Sequence, residues 1–422
     1  MKSNGLFRGW YIVGAVHVLL ALIFGAAYSF GAFFSSIQAN FDAGRFSTAS
    51  IFSVTALIYY AVGVFSGALS DRSSVRVVTG AGIVLLSLGF LLSSLLSSSL
   101  VLFLGAFCVL VGLGVGLVYV PAVSTIQRWF VVRRSSASGI ALAGTGLGTL
   151  VGPMVAGLLM RHFSWQVTMQ VYAGAIALLG LAAAMSLRGR PEELGLHADG
   201  IAVRAGLADL QAQGGLALGE AALTVRFWWF FAAIFFGSIG LFLALVHINP
   251  YAQQQGLSMT QANLLIGLIG VGNILGRLVL GRIGDKIGAL RFLVWLTVSL
   301  AVLCALWSVA YGFVGLAVFA LLFGAANGGC IALYPAVAAS WFGTKSLGAI
   351  LGALYIAVGI AAVAGGSLAG LLFDLYESYT LSIMLAGACA LLSAVAVLMA
   401  DRADGSGHRA FRAVRGRAVP RQ

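Results

Sequence analysis

Gly67-Ala68-Leu69-Ser70-Asp71-Arg72 closes one long apolar run, and Gly281-Arg282-Ile283-Gly284-Asp285-Lys286 closes another, 214 residues later. Other short matches keep nearly the same spacing. Pro121-Ala122-Val123 returns as Pro335-Ala336-Val337 at 214, Val155-Ala156-Gly157-Leu158-Leu159 as Leu368-Ala369-Gly370-Leu371-Leu372 at 213, and Trp129-Phe130 as Trp341-Phe342 at 212. Each match alone is weak. Four in order, drifting by only two residues, are hard to obtain by chance. The chain therefore reads as two copies of one unit.

The unit is a membrane unit. Of 422 residues, 61% are hydrophobic and 9% charged, and the mean hydropathy is +1.03. Soluble globular chains carry about 25% charged residues, so an ordinary soluble enzyme is excluded. Gly is abundant at 56 residues and Pro scarce at 6, a composition that suits closely packed transmembrane helices. A span needs roughly 20 residues. The first half reads as spans near 10–35, 47–69, 77–97, 100–127, 137–160 and 165–187. The second reads as spans near 227–252, 261–283, 291–311, 313–340, 346–373 and 378–400. The domains are then 1–187 and 224–400, with a polar linker at 188–223 and a basic tail at 401–422. The first apolar run continues from Trp10 past Phe30, too long for the core of a cleavable signal.

The net charge is +12, which can signal nucleic acid binding. Here the charges flank apolar runs instead. With both termini placed inside, 21 of the 24 Lys and Arg fall on the cytoplasmic side; Arg45 and Arg161 fall outside and Arg277 falls within a span. The positive-inside rule thus orients the chain and removes any need for a nucleic acid partner. Lipid headgroups suffice for the tail. Cys108, Cys304, Cys330 and Cys389 lie in apolar runs without CxxC spacing, so neither a disulfide nor a metal site is expected. No HExxH, GxSxG or P-loop occurs, and runs such as Gly144-Thr145-Gly146-Leu147-Gly148 read as helix packing. No enzyme activity, cofactor or nucleotide is expected.

The motif G-x-L-x-D-R and its copy, with twelve spans in two halves, resemble the major facilitator superfamily over the whole chain. The resemblance implies an all-α membrane protein of the major facilitator fold: 12 transmembrane helices in two pseudo-symmetric six-helix halves, with a site between them and one half rocking against the other. The charged pairs Asp71/Arg76 and Asp285/Arg291 then sit at cytoplasmic helix ends, where they could latch the halves. A second resemblance is narrower. Trp129-Phe130-Val-Val-Arg133-Arg134 followed by a Gly/Ala run, Arg8-Gly9-Trp10, and Asn273-Ile-Leu-Gly-Arg277 resemble bacterial relatives of the monocarboxylate transporters, neighbouring the oxalate/formate antiporters. It implies an integral plasma (bacterial inner) membrane location and a carboxylate cargo. Two departures stand out: Asn273 replaces the family's usual acid, and the first span lacks the lysine of animal members.

Arg277 is the strongest single signal. It lies eight residues before Asp285, about 12 Å inside the bilayer at 1.5 Å per residue. No acidic residue lies within an expected span, so the counter-charge is either an anionic substrate or, failing that, helix carbonyls and water. A guanidinium matches a carboxylate bidentately. Asn273, four residues earlier on the same face, could hold the guanidinium or donate to a substrate oxygen. Tyr119, Tyr28, Tyr355 and Asn327 could complete the pocket, and His247 and His17 are the titratable candidates for proton coupling or gating. One buried cation suits one negative charge. The eleventh span also has no lysine of the kind that the oxalate-transporting relatives carry. The expected cargo is a lactate- or pyruvate-like monocarboxylate moved with a proton. An oxalate/formate-type exchanger is the first alternative and a non-transporting carboxylate sensor the second.

Overall fold

The computed structural model describes residues 7–42, 45–96, 98–200 and 215–403. Among them twelve helices are long and apolar enough to cross a membrane. They are α1 (Gly9–Phe34), α2 (Val54–Arg72), α3 (Val75–Leu95), α4 (Leu100–Trp129), α5 (Arg134–Leu159), α6 (Trp165–Ser186), α7 (Val225–Gln254), α8 (Thr260–Ile287), α9 (Ala289–Val309), α10 (Gly312–Phe342), α11 (Leu347–Gly365) and α12 (Thr380–Arg402). Each overlaps its expected span, ten of them to within about four residues at both ends; α2 and α11 are parts of longer helices, Arg45–Arg72 and Leu347–Tyr376. Most of the basic tail and the segment 201–214 lie outside the described residues.

Local chemistry sets several boundaries. Ser164 and Thr224 cap α6 and α7 by accepting from Val167 and Phe227 backbone N–H groups. Ser258 and Gln261 form a reciprocal capping box at α8. Gly343 ends α10 with φ 74, a conformation that glycine adopts without steric cost. Four spans carry an internal proline: Pro121, Pro153, Pro250 and Pro335. The π-helical segments Gly105–Val111 and Ile176–Gly180 interrupt α4 and α6, and hydropathy gives no sign of them.

Helix packing repeats with the sequence. α1 lies on α5 and α6 as α7 lies on α11 and α12; α2 and α3 flank α4 as α8 and α9 flank α10; α3 meets α6 as α9 meets α12. Two seams join the halves, α2 against α11 and α5 against α8, and they are also repeat equivalents. Both seams are tight enough to require glycine. A Cβ on Gly67 would lie 2.0 Å from the Gly348 carbonyl oxygen, and one on Gly139 would lie 1.9 Å from that of Arg277.

The ends of α2, α4, α6, α8, α10 and α12 share one face of the bundle, which also carries Arg72, Arg128, Arg188, Arg226, Lys286 and Lys345. We call it the basic end. Here the linker folds onto the loops that precede α5 and α11. The Asp199 carboxylate accepts from the Val131 and Val132 N–H groups at 2.8 Å each. Gly215 bridges to Gly343, with Leu216 N–H donating to the Phe342 carbonyl at 2.9 Å.

Candidate substrate site

Between the halves lies a cavity of about 380 Å³. Its floor is at Arg277. From there its wall follows α8 back to Ile266, eleven residues away, or about 16 Å of helix. Leu245 of α7 and Leu150 of α5 also line it. Gly267 and Gly270 face it openly: a Cβ on either would meet nothing within 4 Å. Toward the basic end, by contrast, the two glycine seams close the bundle. The cavity therefore extends away from the basic end.

Arg277 is 8% exposed. Its Nη1 donates across the halves to the Leu142 carbonyl and to Thr145 Oγ1, both on α5. Thr145 Oγ1 itself donates to the Leu142 carbonyl at 2.9 Å. The Arg277 Nε is buried without a hydrogen bond. One helix carbonyl and one hydroxyl thus satisfy part of the guanidinium and leave its Nε unused. Among the described residues, no other Arg, Lys, Asp, Glu or His lines the cavity.

Asn273, Tyr28, Tyr119 and Tyr355 line the same cavity. Tyr119 and Tyr355 stack across the halves with centroids 5.5 Å apart and planes at 25°. The Tyr355 hydroxyl is buried without a well-formed hydrogen bond. Phe24 packs edge-on to Tyr119 at 5.2 Å. Asn273 shares the Arg277 face, but among the described residues no hydrogen bond joins the two; α5, not Asn273, holds the guanidinium.

Three expected members stand apart. Asn327 is buried within α10, 3% exposed, and does not line the cavity. His17 is engaged with the Ile140 carbonyl through Nδ1 at 2.7 Å, where α1 packs on α5. His247 sits beside the Tyr379 ring, centroids 5.3 Å apart, also off the cavity wall.

Sequence reasoning missed Tyr60, Thr145, Thr149, Ser238 and Tyr334, all in the cavity wall. One signal was available for Tyr60. The repeat pairs Asn273 with Tyr59 at an offset of 214 and with Tyr60 at 213. Both offsets occur among the matches, and a one-residue shift turns a helix face by about 100°. Tyr59 is buried behind Tyr60, with ring centroids 4.4 Å apart.

At the basic end, Asp71 accepts from the Gly348 and Ala349 N–H groups at 3.2 and 3.1 Å. It also pairs with Arg128. Asp285 accepts from the Ser135 and Ser136 N–H groups at 2.9 Å each and from the Ser136 hydroxyl. Each carboxylate of one half thus caps the first turn of a helix in the other, where unpaired N–H groups and the helix dipole favour an anion. The expected arginine partners differ. Arg76 and Arg291 form no ion pair among the described residues, and Arg128 of α4 takes that place at Asp71. Arg128 is buried and close enough to reach inward, while Arg291 is exposed.

Comparison with known proteins agrees with this architecture. The family model described as Major Facilitator Superfamily matches residues 16–313 and 251–421. The chain belongs to this superfamily. It is 28% identical over 385 residues to "Monocarboxylate transporter 13" of Bos taurus, covering 90% of this chain and 86% of that one. It is 27% identical over 415 residues to "Monocarboxylate transporter 12" of Mus musculus, covering 92% and 84%. The protein is thus a superfamily transporter related to the monocarboxylate transporters, not an enzyme. Among solved structures, the proton:xylose symporter XylE bound to 6-bromo-6-deoxy-D-glucose has a TM-score of 0.75 at 17% identity, covering 92% of this chain and 94% of its own. FucP in the outward conformation has a TM-score of 0.70 at 16% identity, covering 92% and 98%. These likenesses show the fold.

Proposed function

We propose that this superfamily member is a secondary transporter of small monocarboxylates, lactate- or pyruvate-like, that binds the carboxylate at Arg277 between its halves and moves it with a proton. Arg277 carries the reading: its buried Nε has no hydrogen bond, and it is the one charged side chain among the described residues that line the cavity. Tyr119, Tyr28 and Tyr355 supply hydroxyls toward the second carboxylate oxygen, and Asn273 supplies an amide. The protein works in a plasma membrane, in the bacterial case the inner one, with both termini cytoplasmic, the 188–223 linker between domains 1–187 and 224–400, and the 401–422 tail on the same face. The basic end is then the cytoplasmic end. Asp71 and Asp285 latch it while the cavity faces outward, with the Arg76 and Arg291 charges serving orientation.

One observation favours a second reading, exchange of carboxylates of the oxalate/formate type. Among the described residues the cavity wall has no Asp, Glu or His to carry a proton, and exchange needs none. The test is radiolabelled L-lactate uptake into proteoliposomes with and without an inward proton gradient, beside Arg277→Ala. Gradient-stimulated uptake lost in the variant supports symport. Uptake that needs preloaded anion and ignores the gradient supports exchange. Uptake unchanged in Arg277→Ala sinks the site.

A further inference from the structure

Arg277 does more than face the cavity. Its Nη1 reaches from α8 in one half to the Leu142 carbonyl and Thr145 Oγ1 of α5 in the other. These bonds lie on the α5/α8 seam. One turn and a half toward the basic end, Gly139 lies against the Arg277 carbonyl, and Gly281 lies against Ser135. On the cavity side, a Cβ on Gly146 would come within 2.3 Å of Ile274. Any motion that opens the basic end must part α5 from α8, and must therefore break the bonds from Arg277.

We propose that Thr145 and the Leu142 carbonyl bolt Arg277, and with it α8, to α5 in the empty protein, and that a substrate carboxylate releases the seam by taking over the guanidinium. The inference rests on the reading of Arg277 as the carboxylate site. The physical reason is the exchange of partners. A guanidinium in a low-dielectric site must keep hydrogen-bond acceptors. In the empty protein α5 provides them, so parting the seam leaves the charge bare. With a carboxylate bound, the acceptors travel with α8 and the seam can open. The empty protein therefore rests closed at the basic end. After cargo release at that end, the bare guanidinium drives re-closure. Thr145 acts as a positioning residue: its hydroxyl accepts from Arg277 while donating to the Leu142 carbonyl, which holds both acceptors at one place.

Thr145→Val keeps the shape and removes the acceptor; Thr145→Ser restores it. Spin labels on cysteines introduced at Ser73 and Lys286, both exposed at the basic end, report its opening by pulsed dipolar spectroscopy in nanodiscs. The empty wild type is expected to show mainly the short distance, and saturating L-lactate at acidic pH the longer one. Empty Thr145→Val is expected to raise the open-to-closed ratio roughly tenfold, the loss of one charge-assisted hydrogen bond, with Thr145→Ser close to wild type. Lactate should also bind Thr145→Val more tightly by calorimetry, because a competitor for the guanidinium is gone.

A distance distribution in empty Thr145→Val identical to wild type overturns the bolt. So does lactate binding weakened in Thr145→Val as far as in Arg277→Ala, which makes Thr145 a plain contact residue. The two readings separate cleanly. Lactate that fails to bind the wild type while Thr145→Val still opens the basic end defeats the carboxylate reading and leaves the seam role supported. Lactate binding that depends on Arg277 beside an unmoved seam defeats the bolt alone.

Discussion

A guanidinium inside a membrane-spanning helix costs a few kcal/mol even on the permissive insertion scale. That cost made Arg277 legible in the bare sequence, as the one cation that no span end could explain. Its surroundings were less legible. Tyr119, Tyr28, Tyr355 and Asn273 are polar landmarks on apolar helices, and the fold brings them to one cavity. Thr145 gave no such signal, because a threonine in a Gly/Ala helix commonly bonds its own backbone, and here it does both. Asn327 is the converse case: a polar residue on a cavity-lining helix that is buried and does not itself line the cavity. Two outcomes follow for the site. Arg277→Lys keeps the charge but loses the planar fork, so lactate binding measured by titration calorimetry is expected to weaken at least about tenfold. Tyr119→Phe removes one hydroxyl and is expected to cost about fivefold in the same measurement; no change would place the carboxylate elsewhere.

At the scale of elements, the two seams matter most. Gly139 lies so close to α8 that a methyl group would collide with the Arg277 carbonyl, at 1.9 Å. Gly139→Ala should therefore hold the basic end apart. Lactate uptake is expected to fall about tenfold or more, while the protein still purifies as a folded monodisperse species; uptake at the wild-type rate would show that the seam never closes this tightly. The Asp71–Arg128 pair is buried, with side chains 5% exposed on both partners. Asp71→Asn leaves Arg128 with an uncompensated charge and weakens the cap on α11. Removing one partner of a buried pair typically costs about 3–5 kcal/mol, so thermal unfolding in detergent should move clearly downward. An unchanged melting temperature would mean that water already screens Arg128. The helix pairing itself was hidden in sequence. Asp71 meets Ala349 across 278 positions, and no local pattern encodes such a distance.

At the scale of the whole molecule, the halves close around one end and leave a cavity open away from it. His247 lies beside Tyr379 and off the cavity wall, and a proton coupled to the cargo is expected to travel by another route. His247→Gln is expected to keep gradient-driven lactate uptake within about twofold of wild type, at every pH where the wild type is active; loss of the pH response would place the coupling site in the part of α7 away from the basic end.

The sequence by itself determined the twelve spans, the repeat and the candidate cation. The reason is that a bilayer accepts only helices with satisfied backbones, so length and polarity are written span by span. Tertiary structure alone decided that Arg128 rather than Arg76 pairs with Asp71, and that Asp285 caps α5. It also decided that Arg277 ties the two halves together through α5. Those outcomes depend on how helices distant in sequence are rotated and pressed together. Periodicity names the faces of a helix, but only packing selects which face meets which neighbour.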